Sequence, residues 1–188
     1  NNFFYRATLS RNSLDQVIYP TLGSNISLSF QATPPYSLFS GRDYSGLDQQ
    51  SKYRWAEYFK WKVSSDWYTS LIGKLVLKTK IGFGFHNFYN SDIGPAPFER
   101  FYLGGSGLTN VQFDGREIIA LRGYDEQSLS PRTGAMFINK YTAELRYPFS
   151  LNPSATIFGL AFLEAGNSWS AFSDFDPYDV YRSTGVGI

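Results

Sequence analysis

Arg122 stands between Leu121 and Gly123, far from any alternating pattern, and an arginine in that position has two uses. It can be an ordinary solvated surface cation, or a planar fork that holds two carboxylates at once, which a lysine point charge does not do. Catalytic readings are thinner. Gly104-Gly105-Ser106-Gly107-Leu108 sets a serine in a glycine frame, but leucine takes the fifth place of the nucleophile elbow, and His86, the one histidine, would have to serve as base. His86 closes the polar side of a strand pattern beside Asn87; without a second His or any Cys it reads as a solvated loop-base residue, not a ligand. Asp174, Asp176 and Asp179 lack the glycine and closing glutamate of a calcium loop. The expectation is no enzyme, no metal and no cofactor.

Composition narrows the partners. Seventeen Lys and Arg oppose sixteen Asp and Glu over 188 residues, so there is no basic footprint for nucleic acid. Zero Cys excludes a disulfide framework. The uncharged run between Arg146 and Glu164 contains Pro148, Asn152 and Pro153 and cannot cross a bilayer as a helix. No basic and then apolar leader opens the chain, so any secretion signal is expected to be removed or to lie upstream. Aromatics reach 19%, a bias that suits pleated strands.

Those strands can be read directly from parity. Phe3, Tyr5, Ala7 and Leu9 share one face, and so do Ile26, Leu28, Phe30 and Ala32, with Ser27 and Ser29 opposite. Phe59, Trp61 and Val63 alternate with Lys60 and Lys62, and Leu75, Leu77, Ile81, Phe83 and Phe85 with Lys74, Lys78, Lys80 and His86; Val76 breaks that rule. Phe137 to Tyr147 sets Tyr141, Ala143 and Leu145 against Lys140, Thr142, Glu144 and Arg146. Ala155 to Gly166 is apolar on both sides except for Glu164, and Arg182 to Ile188 completes seven segments with no competing helical period.

Seven amphipathic strands fit a soluble β-sandwich binding module, with the polar parity in water. The connections favour a membrane barrel. Near 69–73 and 149–154 they span a few residues, whereas 34–53 is about twenty, 86–136 about fifty, and the link before Arg182 about a dozen. Short turns on one side and long loops on the other are the habit of outer-membrane barrels. Rings at strand ends (Tyr53, Trp55, Trp67, Tyr68, Phe88, Tyr89, Trp169, Tyr178, Tyr181) would form the interfacial girdle.

Phe101-Tyr102-Leu103-Gly104-Gly105, followed by Leu121-Arg122-Gly123-Tyr124, resembles the loop signature of BamA-type outer-membrane assembly proteins, the bacterial surface antigen superfamily. Tyr19-Pro20-Thr21-Leu22-Gly23-Ser24 is similar to that family's periplasmic turn, with Pro20 and Gly23 in place. The resemblance implies that 1–188 is part of one antiparallel transmembrane β-barrel of the bacterial outer membrane, roughly strands eight to fourteen of about sixteen. It implies a lumen-folded loop at about 87–135, with the POTRA domains and closing strands outside these residues. It further implies that Arg122 latches onto Glu144 and Glu164, so that removing one member leaves the others as uncompensated charge. The implied function is folding and insertion of other barrel proteins, with lipid, nascent barrel chains and, through POTRA domains, accessory lipoproteins as partners. A two-partner secretion or TamA-like transporter is the alternative within the superfamily.

Overall fold

The computed structural model describes residues 2–106, 116–152 and 154–188; Gly107 and Leu108 of the glycine frame, and Pro153, lie outside them. Seven strands form one antiparallel sheet: β1 (Tyr5–Asn12), β2 (Gly23–Ala32), β3 (Phe59–Ser70), β4 (Val76–Asn87), β7 (Phe137–Asn152), β8 (Ala155–Trp169) and β9 (Tyr181–Gly187). They pair in chain order, and β5 (Phe101–Leu103) and β6 (Glu117–Ile119) make a separate parallel pair inside the β4–β7 connection. The sheet is open among the described residues, with β1 and β9 each bonded on one side only. This is a partial transmembrane β-barrel.

Register turns sequence parity into two faces. Phe30 pairs with Trp61, Trp61 with Phe85, Phe85 with Phe137 and Phe137 with Trp169, giving a continuous aromatic row toward the end bearing the long connections. Phe30 and Trp61 rings lie 4.2 Å apart, Phe137 and Trp169 5.6 Å. The two tryptophans of the row each combine an apolar body with one polar N–H, the combination that gains most at the lipid–water boundary, where such a belt sits. On the opposite face Lys78 pairs with Glu144, Lys80 with Asp66 and Thr142, and Thr142 with Glu164.

Several sequence expectations need correction. Lys74 and Leu75 lie in the turn between β3 and β4, where Leu75 N donates to Ile72 O, so neither belongs to a strand face. Tyr68 is not a girdle residue: it shares the inner parity, and its ring meets Arg146 Cζ at 5.7 Å. Val76, the exception to alternation, points inward and is 1% exposed. β7 runs through 149–152, leaving only 153–154 between it and β8. Two short helices, α1 (Tyr36–Ser40) and α2 (Gln49–Lys52), occupy the β2–β3 connection and are too brief to leave a period.

The 13–22 turn is set by one carboxylate and one glycine. Asp15 accepts from the backbone N–H groups of Thr21 and Leu22 at 2.9 and 3.1 Å and from the Thr21 hydroxyl. Gly23 has φ +105°, and a Cβ there would lie 2.2 Å from Ser13 O, so no other residue allows β2 to start against β1. Desolvation pushes the Asp15 carboxyl up, but the Thr21 and Leu22 hydrogen bonds outweigh it and hold the pKa at about 2.

Leu77→Arg, on the lipid face, is expected to cost about 2 to 4 kcal/mol near the midplane, and Lys78→Arg almost nothing; refolding titrations of the full-length protein in detergent or lipid measure both. Because the Asp15 pKa is depressed in the fold, its stabilisation of the turn is complete above the ordinary carboxylate value of 3.8 and is lost as pH falls from there toward about 2. Thr21→Val is expected to move the Asp15 titration upward, read by carboxyl-carbon NMR.

Candidate functional site

The β4–β7 connection folds onto the inner face of the sheet. β5 and β6 pair Phe101 with Glu117, Tyr102 with Ile118 and Leu103 with Ile119. Phe101, Leu103 and Leu121 are fully buried together with Ala135 and with Ile138 of β7, so this loop carries a hydrophobic cluster of its own. Phe101 reaches the wall because β4 offers Gly84: a Cβ there would lie 2.5 Å from Phe101 Cζ. Gly104 and Gly105 have φ of +122° and +93°, and a Cβ on Gly104 would meet Asp125 O at 2.4 Å. The chain returning through 125–126 therefore lies directly against the two glycines. Tyr102 is buried, packed against Gly134.

Salt bridges fix the first half of the loop to β3. Lys60 Nζ lies 2.6 Å from Glu117 Oε2, donates to Glu99 O at 2.8 Å and sits 4.5 Å from the centre of the Phe101 ring. Lys62 Nζ is 2.9 Å from Glu117 Oε1. Burial pushes the Glu117 carboxyl up, but the Lys60 and Lys62 ammoniums prevail and hold it below the ordinary range.

The second half is held by Arg122. Its backbone N–H donates to Glu164 Oε2 at 2.9 Å, Nε to Glu164 Oε1 at 3.0 Å, and Nη2 to Glu164 Oε1 and Glu144 Oε1 at 2.8 and 2.7 Å. Cζ lies 3.6 Å from the centre of the Phe162 ring, a cation–π contact from the same wall. Each acid also has a cation of its own: Lys140 Nζ is 3.0 Å from Glu164 Oε1, and Arg146 Nε donates to Glu144 Oε2 at 2.9 Å. Lys140 also donates to Ala120 O. Tyr124 donates its hydroxyl to Arg182 O of β9 at 2.8 Å, and Ser168 Oγ donates to Leu129 O at 2.8 Å. Loop residues thus engage β3, β4, β7, β8 and β9. Beside them a cavity of about 610 Å³ opens, lined in part by Arg6, Lys62, Lys80 and Lys140.

Leu121, Arg122, Gly123, Tyr124, Glu144 and Glu164 are therefore brought together, and Phe101, Tyr102, Gly104 and Gly105 form the base on which the Arg122 segment rests. Pro20 and Gly23 lie apart from this group, in the 13–22 turn and at its junction with β2. Sequence reasoning did not single out Lys60, Lys62, Glu117, Lys140, Arg146 or Phe162. Inward parity could have found all but Glu117, which lies in a strand of three residues. His86 is corrected: it is fully buried, stacked on Tyr58 at 5.3 Å, and neither ring nitrogen has a hydrogen-bond partner among the described residues, so it is not solvated.

The Omp85 superfamily domain model matches residues 1–188. The chain belongs to the Omp85 superfamily, outer-membrane β-barrel proteins that act as insertases or transporters, and it lies in the bacterial outer membrane. It is similar in fold to the crystal structure of BamA from Haemophilus ducreyi lacking POTRA domains 1–3, with a TM-score of 0.70 and 20% identity over 98% of this chain. The chain spans 35% of that protein's length. No curated protein matches.

The paired wall changes what loss of Arg122 does. Glu144 and Glu164 retain Arg146 and Lys140, so Arg122→Ala strands no acid. The expected loss is about 1 to 3 kcal/mol, that of charged hydrogen bonds in a half-wet site, rather than the larger penalty of a bare buried charge. Arg122→Lys is expected to recover only part of it, because an ammonium cannot bond both acids as a fork. Limited proteolysis of segment 88–136 in the full-length protein measures both.

Proposed function

We infer that these strands are part of the wall of an insertase that folds β-barrel proteins and inserts them into the outer membrane. The observation that carries the reading is the Arg122 fork between Glu144 and Glu164, seated on a loop with its own buried cluster. A wall that must offer a strand edge to an incoming chain needs an internal brace, because an unpaired edge in hydrocarbon is costly and tends to collapse onto any partner. Here the brace ties β3 to β7, β8 and β9 across the inside, leaving the outer surface free for lipid. The bond-forming step is strand pairing: a nascent strand gains backbone hydrogen bonds that neither lipid nor water can offer inside the bilayer. The substrates are nascent barrel chains, and accessory lipoproteins join through periplasmic POTRA domains.

The cavity lined by Arg6, Lys62, Lys80 and Lys140 favours a second reading, a transporter in which the same lumen is a conduit for unfolded polypeptide. The two separate in one experiment. In cells depleted of the native copy, full-length protein carrying Arg122→Ala, Glu164→Gln or the swap Arg122→Glu with Glu164→Arg is scored for the amount of heat-modifiable client barrels. Arg122→Ala and Arg122→Glu are expected to lower client insertion, the double swap to restore part of it, and Lys80→Ala to leave it unchanged. Normal barrel insertion in all variants, with secretion of a soluble passenger abolished, would establish the transporter instead.

A further inference from the structure

On the lipid-facing parity of the described strands only two residues are charged, Arg11 of β1 and Arg182 of β9. Arg11 is next to the last residue of β1, exposed and beside the 13–22 turn, where a long side chain is close enough to water to keep its charge hydrated. Arg182 is the second residue of β9, just below the external 170–180 connection. Register places it beside Ala165, which pairs with Tyr141. It is exposed, and its guanidinium has no ion pair or side-chain hydrogen bond among the described residues. The nearest acid in sequence, Asp179, is engaged elsewhere: Asn167 Nδ2 donates to Asp179 O at 2.8 Å and to its carboxylate at 3.3 Å.

Next to Arg182 the outer face is hollow. A concavity of about 400 Å³ has Thr79, Ala143 and Ala165 as its floor and Tyr141 and Leu163 as walls. Small residues on three neighbouring strands create it, and Leu163, 63% exposed, stands up beside it. The Tyr141 hydroxyl accepts from Asn139 Nδ2 at 3.4 Å, which leaves its own proton to donate. An apolar hollow on a lipid-facing wall fits an acyl chain, and a bare guanidinium at its rim, near the external interface, fits the oxygens of a phosphate.

We propose that Arg182 and this hollow bind an outer-leaflet lipid, with the phosphate of its headgroup on the guanidinium and one acyl chain over Ala143 and Ala165. The site rests on the outward parity facing lipid and is independent of the insertase reading. It also lies back to back with the loop. Arg182 O accepts from Tyr124, and a Cβ on Gly123 would lie 3.4 Å from Ser183 Cβ, so the loop holds Arg182 and Ser183 from inside while the lipid holds the Arg182 side chain from outside.

The test uses the full-length protein in mild detergent, incubated with a bis-phosphorylated glycolipid of the outer leaflet and read by native mass spectrometry. Wild type is expected to retain the lipid, and Arg182→Gln to lose about tenfold in retention, the effect of one charged hydrogen bond. Arg182→Lys keeps part of it, Ala165→Leu loses it with the charge intact by filling the hollow, and Arg11→Gln retains it fully. Heat-modifiability confirms that each variant is folded; should Arg182→Gln fail, the lysine and leucine variants decide. Equal retention of the dephosphorylated lipid, equal retention by Arg182→Gln or Ala165→Leu, or full competition by inorganic phosphate overturns the proposal.

Discussion

A peptide group inside hydrocarbon has no water to bond, so its partner must be another peptide group. Every other feature of this chain follows from that requirement. It forces the seven long strands into one continuous ladder, fixes their register, and thereby decides which side chains look at lipid and which look inward. Once register is fixed, the aromatic row from Phe30 to Trp169 and the inner row of Lys78, Lys80, Glu144 and Glu164 are consequences of the same pairing. A slip of one residue would exchange them.

Polar groups gathered on the inner face then need company, and two arrangements supply it. Lys60 and Lys62 converge on a single carboxylate, Glu117, which comes from the loop. On the other side the wall already contains matched pairs, Lys140 with Glu164 and Arg146 with Glu144, and the loop adds a third cation between them. The two ends of the loop are thus unequal. Among the described residues, withdrawing Glu117 leaves the two lysines no carboxylate but the more distant Glu99, at 3.5 Å from Lys60, whereas withdrawing Arg122 leaves two neutral pairs. The Arg122 end is the one that can lift at lower electrostatic cost.

The strands were legible because two solvents act on them: lipid on one side and a wet, charged interior on the other impose strict alternation. Legibility fails where a third environment intervenes. Asn139 and Asn167 sit on the outer parity yet are buried, because Asn139 Oδ1 accepts from Asn167 N and Asn167 binds Asp179 under the external connection. Tyr68 and Val76 face inward at the opposite end, where Tyr19 and Phe158 also gather and rings close around the Arg146 guanidinium. α1 depends on Glu57, a residue distant in sequence, accepting from the Ser37 hydroxyl at 2.7 Å. The Arg122 motif is readable as a resemblance, and inward parity puts Lys140 and Arg146 on the same face as its partners, but which cation meets which acid is decided by the folded geometry.

The loop is made before most of its seat. Arg122 meets Glu164, which lies 42 residues later, and Tyr124 meets Arg182, 58 residues later. Contacts of such separation are slow to close, and these cannot form until β7, β8 and β9 have paired. In chain-order synthesis the segment from Phe101 to Tyr124 therefore waits with its apolar cluster only partly covered, and its docking is a late event. A folding intermediate lacking β8 and β9 has neither Glu164 nor the Arg182 carbonyl and is expected to carry a loosely held, protease-sensitive loop, which makes that loop a reporter of how far the wall has been built.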